Sequence, residues 1–378
     1  MNRATRDKEI SALLAGRIAA GDFPSAVYVV AEKGRVVLAD ALGQAVREPE
    51  ERAANLETVY DLASLTKPLV TGLLCARYIE RGELGLDDAA ARYLAEFDRE
   101  DKRSITLRQL LTHTSGLPAW RPLYITSGGE SANALRAISD EPLESAPGAQ
   151  VRYSDLGFIT LGFLLEKVSG ASLDELARRE IFAPLKLRQT FFNPDLAMRT
   201  GVAACEMGNA YERQMCADLK LSEKGRWREE LIWGEVHDGN AHFLGGAAGH
   251  AGLFSNPHET LRLASQFIAG LSELLAPETC TLFRTNMTEG MGEARSFAWQ
   301  LAATPDSTAG TSLPPDSFGH TGFTGTSCWT VPVHERTFLL LTNRTHAHAL
   351  PFVNINSVRR RFHTLASSAL DAKARGER

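Results

Sequence analysis

Ser64 and Lys67 stand three residues apart in Tyr60-Asp61-Leu62-Ala63-Ser64-Leu65-Thr66-Lys67-Pro68, where an apolar run begins. On a helix, residues i and i+3 share one face with Cβ atoms roughly 5–6 Å apart, so the Lys67 ammonium can reach the Ser64 hydroxyl. Desolvation lowers the pKa of a lysine in apolar surroundings, which would let Lys67 take the serine proton and make Ser64 a nucleophile. A bare S-x-x-K should occur about once by chance in a chain this long, and its ordinary reading is an N-capping serine beside a surface lysine. Here it is the single S-x-x-K of the chain, and two further polar clusters follow it.

The first is Tyr153-Ser154-Asp155, ahead of a helical apolar pattern from Leu156 to Val168. Beside an ammonium, Tyr153 ionises more readily and can share the base role or relay a proton to a leaving group. Asp155 can cap the helix, face a substrate, or do both. The second is His320-Thr321-Gly322, which opens a β-rich run. Glycine at 322 would let a substrate backbone lie close, and the amide of Phe323 could pair with the amide of Ser64 as an oxyanion hole. Singly, these clusters read as a buried tyrosine and a strand start. Their joint occurrence favours acyl transfer.

The elements that must hold these groups follow from periodicity and turn chemistry. Leu69–Ile79 is apolar almost all round and stops at Glu80-Arg81-Gly82, a buried helix that Pro68 requires to begin close to Ser64. That would put the Ser64 hydroxyl at the positive end of the helix dipole. Ser25–Ala31 and Arg35–Ala41 flank Glu32-Lys33-Gly34, a β-hairpin signature. An N-terminal helix carries Ile10, Leu13, Leu14 and Ile18, and further helices are expected at 172–182, 259–271 and 356–370. Two β-rich runs, 320–331 and 337–342, precede the last helix. Residues 120–142 read as a polar loop or lid, and 193–235 show no clear period.

Strands thus sit at the chain ends and helices in the middle. The fold class expected is α+β: an antiparallel sheet built from both ends and faced by the terminal helices, with a mainly helical insertion on the other face. The subdomains expected within one catalytic unit are 1–65 with 256–378 for the sheet and 66–255 for the helices.

The 378 residues, 44% hydrophobic, suffice for a large core. A balance of 41 Lys+Arg against 46 Asp+Glu disfavours nucleic acid as a partner. Five scattered cysteines without a C-x-x-C pair read as ordinary thiols. No transmembrane run or apolar signal core is visible, so a cytoplasmic location is expected, or a periplasmic one if a leader has been removed. No cofactor or metal is implied. His237, His242 and His250 share one stretch, but not at H-E-x-x-H or zinc-ribbon spacing; they are expected to pack at the cleft edge, with Asp238 or Asn240 near substrate. Glycines 245, 246, 249 and 252 imply tight backbone packing rather than a phosphate cradle.

Together, Ser64/Lys67, Tyr153/Asp155 and His320/Thr321/Gly322 resemble the three-motif pattern of the penicillin-recognising serine hydrolases: class C β-lactamases, D-Ala-D-Ala peptidases and their esterase relatives. The resemblance implies their fold, Ser64 as acyl-enzyme nucleophile, Lys67 and Tyr153 as the proton-transfer pair, the amides of Ser64 and Phe323 as the oxyanion hole, and Asp155, His320, Thr321 and Gly322 around the substrate. Histidine replaces the usual lysine of the third motif and Asp155 the usual asparagine of the second, so efficient β-lactam hydrolysis is not expected. Tyr153–Phe158, Val236–Ala241 with Gly249–Ser255, and Phe318–Ser327 resemble a subgroup of exo-acting N-acetylmuramyl-L-alanine amidases and D-alanyl-D-alanine carboxypeptidase-like proteins. That implies muropeptide hydrolysis in the manner of an N-acetylmuramyl-L-alanine amidase, with a small-ester carboxylesterase or a D-alanyl-D-alanine carboxypeptidase as the alternative. A non-catalytic sensor on the same fold is the rival from another class.

Overall fold

Lys33 and Gly34 both adopt positive φ (53° and 71°), the twisted two-residue turn that joins strands β1 (Ser25–Glu32) and β2 (Arg35–Val46) into the expected hairpin. The structure, a computed structural model, describes residues 4–376. Further strands are β3 (Arg52–Ala53), β4 (Tyr60–Asp61), β5 (Thr190–Phe191), β6 (Phe254–Ser255), β7 (Gln300–Leu301), β8 (Phe318–Thr321), β9 (Ser327–Val331) and β10 (Arg336–Thr342). The main sheet is antiparallel, in the order β3-β2-β1-β10-β9-β8-β7. A smaller sheet, β4-β6-β5, lies beside the Ser64 turn.

The pairing of β1 with β10, from Ala26 opposite Thr342 to Glu32 opposite Arg336, fastens the two chain ends together. Ala26–Ala31 is apolar without alternation because both faces are covered. Ala26, Tyr28 and Val30 pack on Ile10 and Leu14 of the first helix (Lys8–Ala19) and on Phe362 and Leu370 of the last (Asn356–Ala374). Val27, Val29 and Ala31 face the other way, into the core that holds Leu69, Leu73 and Leu263. The expected α+β arrangement is the one observed.

Several local expectations need correction. The run 320–331 is not one strand: a turn at 322–326 separates β8 from β9. Residues 120–142 include helical segments at Leu123–Thr126 and Ala134–Asp140, with Leu123, Ala134 and Ile138 buried; their few apolar anchors lie among enough polar residues to mask the period. The helix expected to reach 271 is α-helical only over Pro257–Ala264.

Two of the four glycines of 245–252, Gly249 and Gly252, do serve backbone contact. A Cβ at Gly249 would lie 2.0 Å from the carbonyl oxygen of Phe158, and one at Gly252 would lie 2.1 Å from that of Gly246. Gly249→Ala is therefore expected to cost about 1–3 kcal/mol or more by overpacking, visible as a fall in the urea midpoint. The same change at Gly82, where nothing lies within 4 Å, would not crowd any neighbour, although its φ of 72° leaves a purely local strain. If the two variants lost equal stability, packing of Gly249 on the Asp155–Ser169 helix would not be what requires glycine there.

Candidate active site

Ser64 sits in a single 3-10 turn, Ala63–Leu65, which runs on through Lys67–Gly72 into the α-helix Leu73–Glu80. Ala63, immediately before it, has φ +48°, a conformation a residue with a Cβ rarely adopts unless its surroundings hold it. The fastenings are visible. The Ala63 amide donates to Asp61 Oδ1 at 2.8 Å, Thr66 Oγ1 donates to the Ala63 carbonyl at 2.7 Å, and Thr324 and Thr326 donate to the carbonyls of Asp61 and Leu62. The last two bonds clamp the β8–β9 turn onto the Ser64 turn.

Gly322 belongs to that clamp. A Cβ there would meet Leu62 O at 2.5 Å and Thr326 Oγ1 at 2.1 Å, so glycine is needed for the approach of two backbones. Gly322 lines the cavity as well, so its missing side chain serves the backbone contact beside the place expected for substrate. Neither the Ser64 nor the Phe323 amide donates to another group among the described residues, and both residues line the same cavity of about 630 Å³. Both are available to an oxyanion.

Lys67 is fully buried, with Nζ 2.9 Å from Ser64 Oγ, 3.1 Å from the His250 carbonyl and 2.7 Å from Asp155 Oδ1. Nζ also lies 4.9 Å from the centre of the Tyr153 ring. The lysine expected to be neutral is not. Burial does push its pKa down, but the charges of Asp155 and Tyr153 and hydrogen bonding to both outweigh it, and the net shift is upward. At neutral pH Lys67 is an ammonium.

The reason is a capping detail. Ser154, not Asp155, caps the Asp155–Ser169 helix: its Oγ accepts from the Gly157 amide at 3.2 Å and donates to Pro118 O at 2.6 Å. Asp155 is thereby free to turn its carboxylate to Lys67, while still lining the cavity. Tyr153 also lines the cavity; burial raises its pKa, with Lys67 and Ser64 pulling the other way. The His113 ring lies on Tyr153 and Phe158, and its Nδ1 accepts from the Ser154 amide at 3.0 Å, which fixes the whole 153–155 segment.

His320 and Thr321 line the cavity beside Tyr153. His320 Nδ1 is 2.9 Å from the Thr321 carbonyl and must donate to it, which leaves Nε2 as an unprotonated, buried acceptor. Burial first, then Lys67 and Arg295, hold the His320 pKa well below its ordinary value. It is neutral and does not replace the cation of a lysine.

The positive charge comes from residues that short motifs did not reveal. Arg295 lies 5.6 Å from the centre of the Tyr153 ring, and Arg344 and Arg359 brace the 322–326 turn through the carbonyls of Phe323, Gly322 and Thr326. All three line the cavity. Arg295 is paired with Glu293, but neither Arg344 nor Arg359 has a carboxylate partner among the described residues, and burial lowers the Arg359 pKa to about 9. Their only early signal was a polar residue on an otherwise packed element.

The histidine stretch packs behind this site. His237 pairs with Glu206 at 2.8 Å and its amide donates to Asp61; His250 Nε2 lies 2.9 Å from Asp238 Oδ1; His242, half-exposed, is 3.4 Å from Glu235. His237 and Asp238 line the cavity. Asn240 does not: it is buried, and joins Leu123 N and Arg121 O, so of the two residues expected near substrate Asp238 is the one at the cavity wall.

The family model described as "Beta-lactamase" matches residues 10–358. A protein of Escherichia coli (strain K12) named "Putative D-alanyl-D-alanine carboxypeptidase" is 30% identical over 356 residues, covering 86% of this chain and 79% of that one. Among solved structures, "EstCE1, a hydrolase with promiscuous acyltransferase activity" superimposes with a TM-score of 0.72 and 25% identity, over 94% of this chain and 97% of that one. A class C β-lactamase from Rhodobacter sphaeroides gives 0.71 at 18% identity, over 96% and 100%, a likeness of fold. With residues 10–358 matched by the family model and a relative 30% identical over most of both chains, the chain belongs to the β-lactamase family of serine hydrolases.

Proposed function

We propose that this protein hydrolyses a cell-wall peptide through an acyl-enzyme on Ser64, releasing a C-terminal D-alanine. The observation that carries this reading is the Ser64–Lys67–Asp155 cluster at a cavity lined by Ser64 and Phe323, whose amides donate to no other group among the described residues. Ser64 Oγ, relieved of its proton, adds to the carbonyl carbon, and the oxygen takes up negative charge against the amides of Ser64 and Phe323. Collapse expels the leaving amine, which takes a proton through Tyr153 or Lys67, and water then releases the acyl group by the reverse proton path. Arg344 and Arg359 support a substrate with a free carboxylate, because their charge is unneutralised at the cavity wall. The name of the E. coli relative is in keeping with that choice.

A second reading, cleavage between N-acetylmuramic acid and L-alanine, is favoured by the aromatic side chains of Trp120, Tyr211 and Phe352 around the cavity, which offer faces to a sugar ring. Both use the same nucleophile. The test is mass spectrometry of N-acetylmuramyl tetrapeptide and pentapeptide after incubation with the wild type and with Ser64→Ala. Loss of a terminal D-alanine is the expected result. Free N-acetylmuramic acid with intact peptide would establish the amidase instead, and no Ser64-dependent change would overturn both and leave small-ester hydrolysis as the surviving chemistry.

A further inference from the structure

We infer that Asp155 is the terminal proton acceptor of the reaction, so that the serine proton is taken by a Ser64–Lys67–Asp155 relay and not by a neutral lysine or a tyrosinate. The inference rests on Ser64 being the nucleophile. An ammonium has three N–H bonds and no lone pair. Lys67 Nζ donates to Ser64 Oγ at 2.9 Å and to the His250 carbonyl at 3.1 Å, and its ion-pair partner Asp155 Oδ1, 2.7 Å away, accepts from no other group among the described residues. In that state Lys67 cannot take a proton from Ser64 unless it first gives one up. Ser64 Oγ is the group losing its proton and a carbonyl is a poor base, so Asp155 is the one acceptor in contact that can receive it.

The step balances. As Ser64 Oγ forms its bond to the carbonyl carbon, its proton passes to Lys67 Nζ and one ammonium proton passes to Asp155 Oδ1. The carbonyl π pair becomes the oxyanion, and Lys67 is an ammonium before and after the step, passing through the amine as it hands its proton to Asp155. When the tetrahedral adduct collapses, the bond to the leaving group breaks. Lys67 then delivers a proton to that group, directly or through Tyr153, and recovers one from the Asp155 carboxyl. An asparagine at 155 could hold Lys67 in place but could not take the proton.

The relay predicts a flat profile for acylation. A neutral Lys67 or an ionised Tyr153 acting as base would make the rate climb about tenfold per pH unit between 6 and 9, because both groups have raised pKa values and are mostly protonated there. The other groups facing the pair are Asp238 and the His250 ring behind Lys67, His113 and His320 against Tyr153, and the Arg295 guanidinium over its ring. His113 and His320 are held neutral across this range by burial.

The experiment is the pre-steady-state burst of p-nitrophenol from p-nitrophenyl acetate, measured from pH 6 to 9 on the wild type, Asp155→Asn, Asp155→Glu and Ser64→Ala. Expected are a Ser64-dependent burst of nearly constant rate in the wild type, a loss on the order of 100-fold or more at pH 7 in Asp155→Asn that narrows as pH rises, and retention within about tenfold by Asp155→Glu. The narrowing follows because desolvation, no longer opposed by Asp155, lowers the Lys67 pKa and lets the amine act alone. A wild-type rate climbing tenfold per unit would overturn the relay without any variant. So would Asp155→Asn as fast as the wild type at pH 7, while the Ser64 nucleophile would stand. Absence of any Ser64-dependent burst would overturn both.

Discussion

Ser64→Ala is expected to lower kcat by on the order of 10⁴–10⁶ for any ester or amide the protein turns over, with the fold intact. The size of the loss follows from what the hydroxyl does alone: among the described residues no other aliphatic hydroxyl or thiol both contacts Lys67 and lines the cavity with Phe323. The fold survives because the Ser64 turn is held by others, namely Asp61, Thr66, Thr324 and Thr326. Lys67 also keeps Asp155 and the His250 carbonyl when Ser64 Oγ is gone. A thermal melt within a few degrees of the wild type, together with an absent burst, is the expected pair of results. Retention of more than a tenth of the activity would mean that the nucleophile lies elsewhere.

What was legible in the sequence was local. The hairpin at Lys33-Gly34 needs two positive φ values in a row, and the Ser64/Lys67 contact needs one helical turn, so neighbours in the chain fix both. What escaped was set by tertiary partners. Whether Lys67 is neutral or charged depends on which of Ser154 and Asp155 caps the next helix, a choice made by the Pro118 carbonyl that accepts from Ser154. That Gly322 also lets two backbones meet is not legible in the sequence, because Leu62, whose carbonyl a Cβ there would crowd, belongs to a strand-to-helix turn far away in the chain. Arg344 and Arg359 escaped for the same reason: a lone arginine on a strand end or a helix carries no spacing that shows which turn it will brace. The helical segments of 123–140 were hidden by composition, since few side chains there reach the core.

Lys67→Ala is expected to lower kcat by about 10²–10⁴, as for loss of a positioned proton-transfer group, and, unlike Ser64→Ala, to destabilise the fold. The lysine is fully buried while 18% of the Asp155 side chain reaches solvent, so removing the cation leaves a carboxylate partly enclosed without a partner. Breaking such a buried pair costs about 3–5 kcal/mol, and the residual exposure of Asp155 places the loss toward the lower end. The double variant Lys67→Ala/Asp155→Asn separates the two effects. Neutralising position 155 removes the uncompensated charge, so the double variant should unfold at higher urea than Lys67→Ala alone. It should remain inactive, because neither change restores a group that can move the Ser64 proton. Equal urea midpoints for the single and double variants would show that the 2.7 Å pair is not energetically coupled, and a lysine kept charged by something other than Asp155 would then have to be sought. Recovery of activity in the double variant would be the more serious result, since it would leave Tyr153 as the only remaining residue beside Ser64 able to accept the proton.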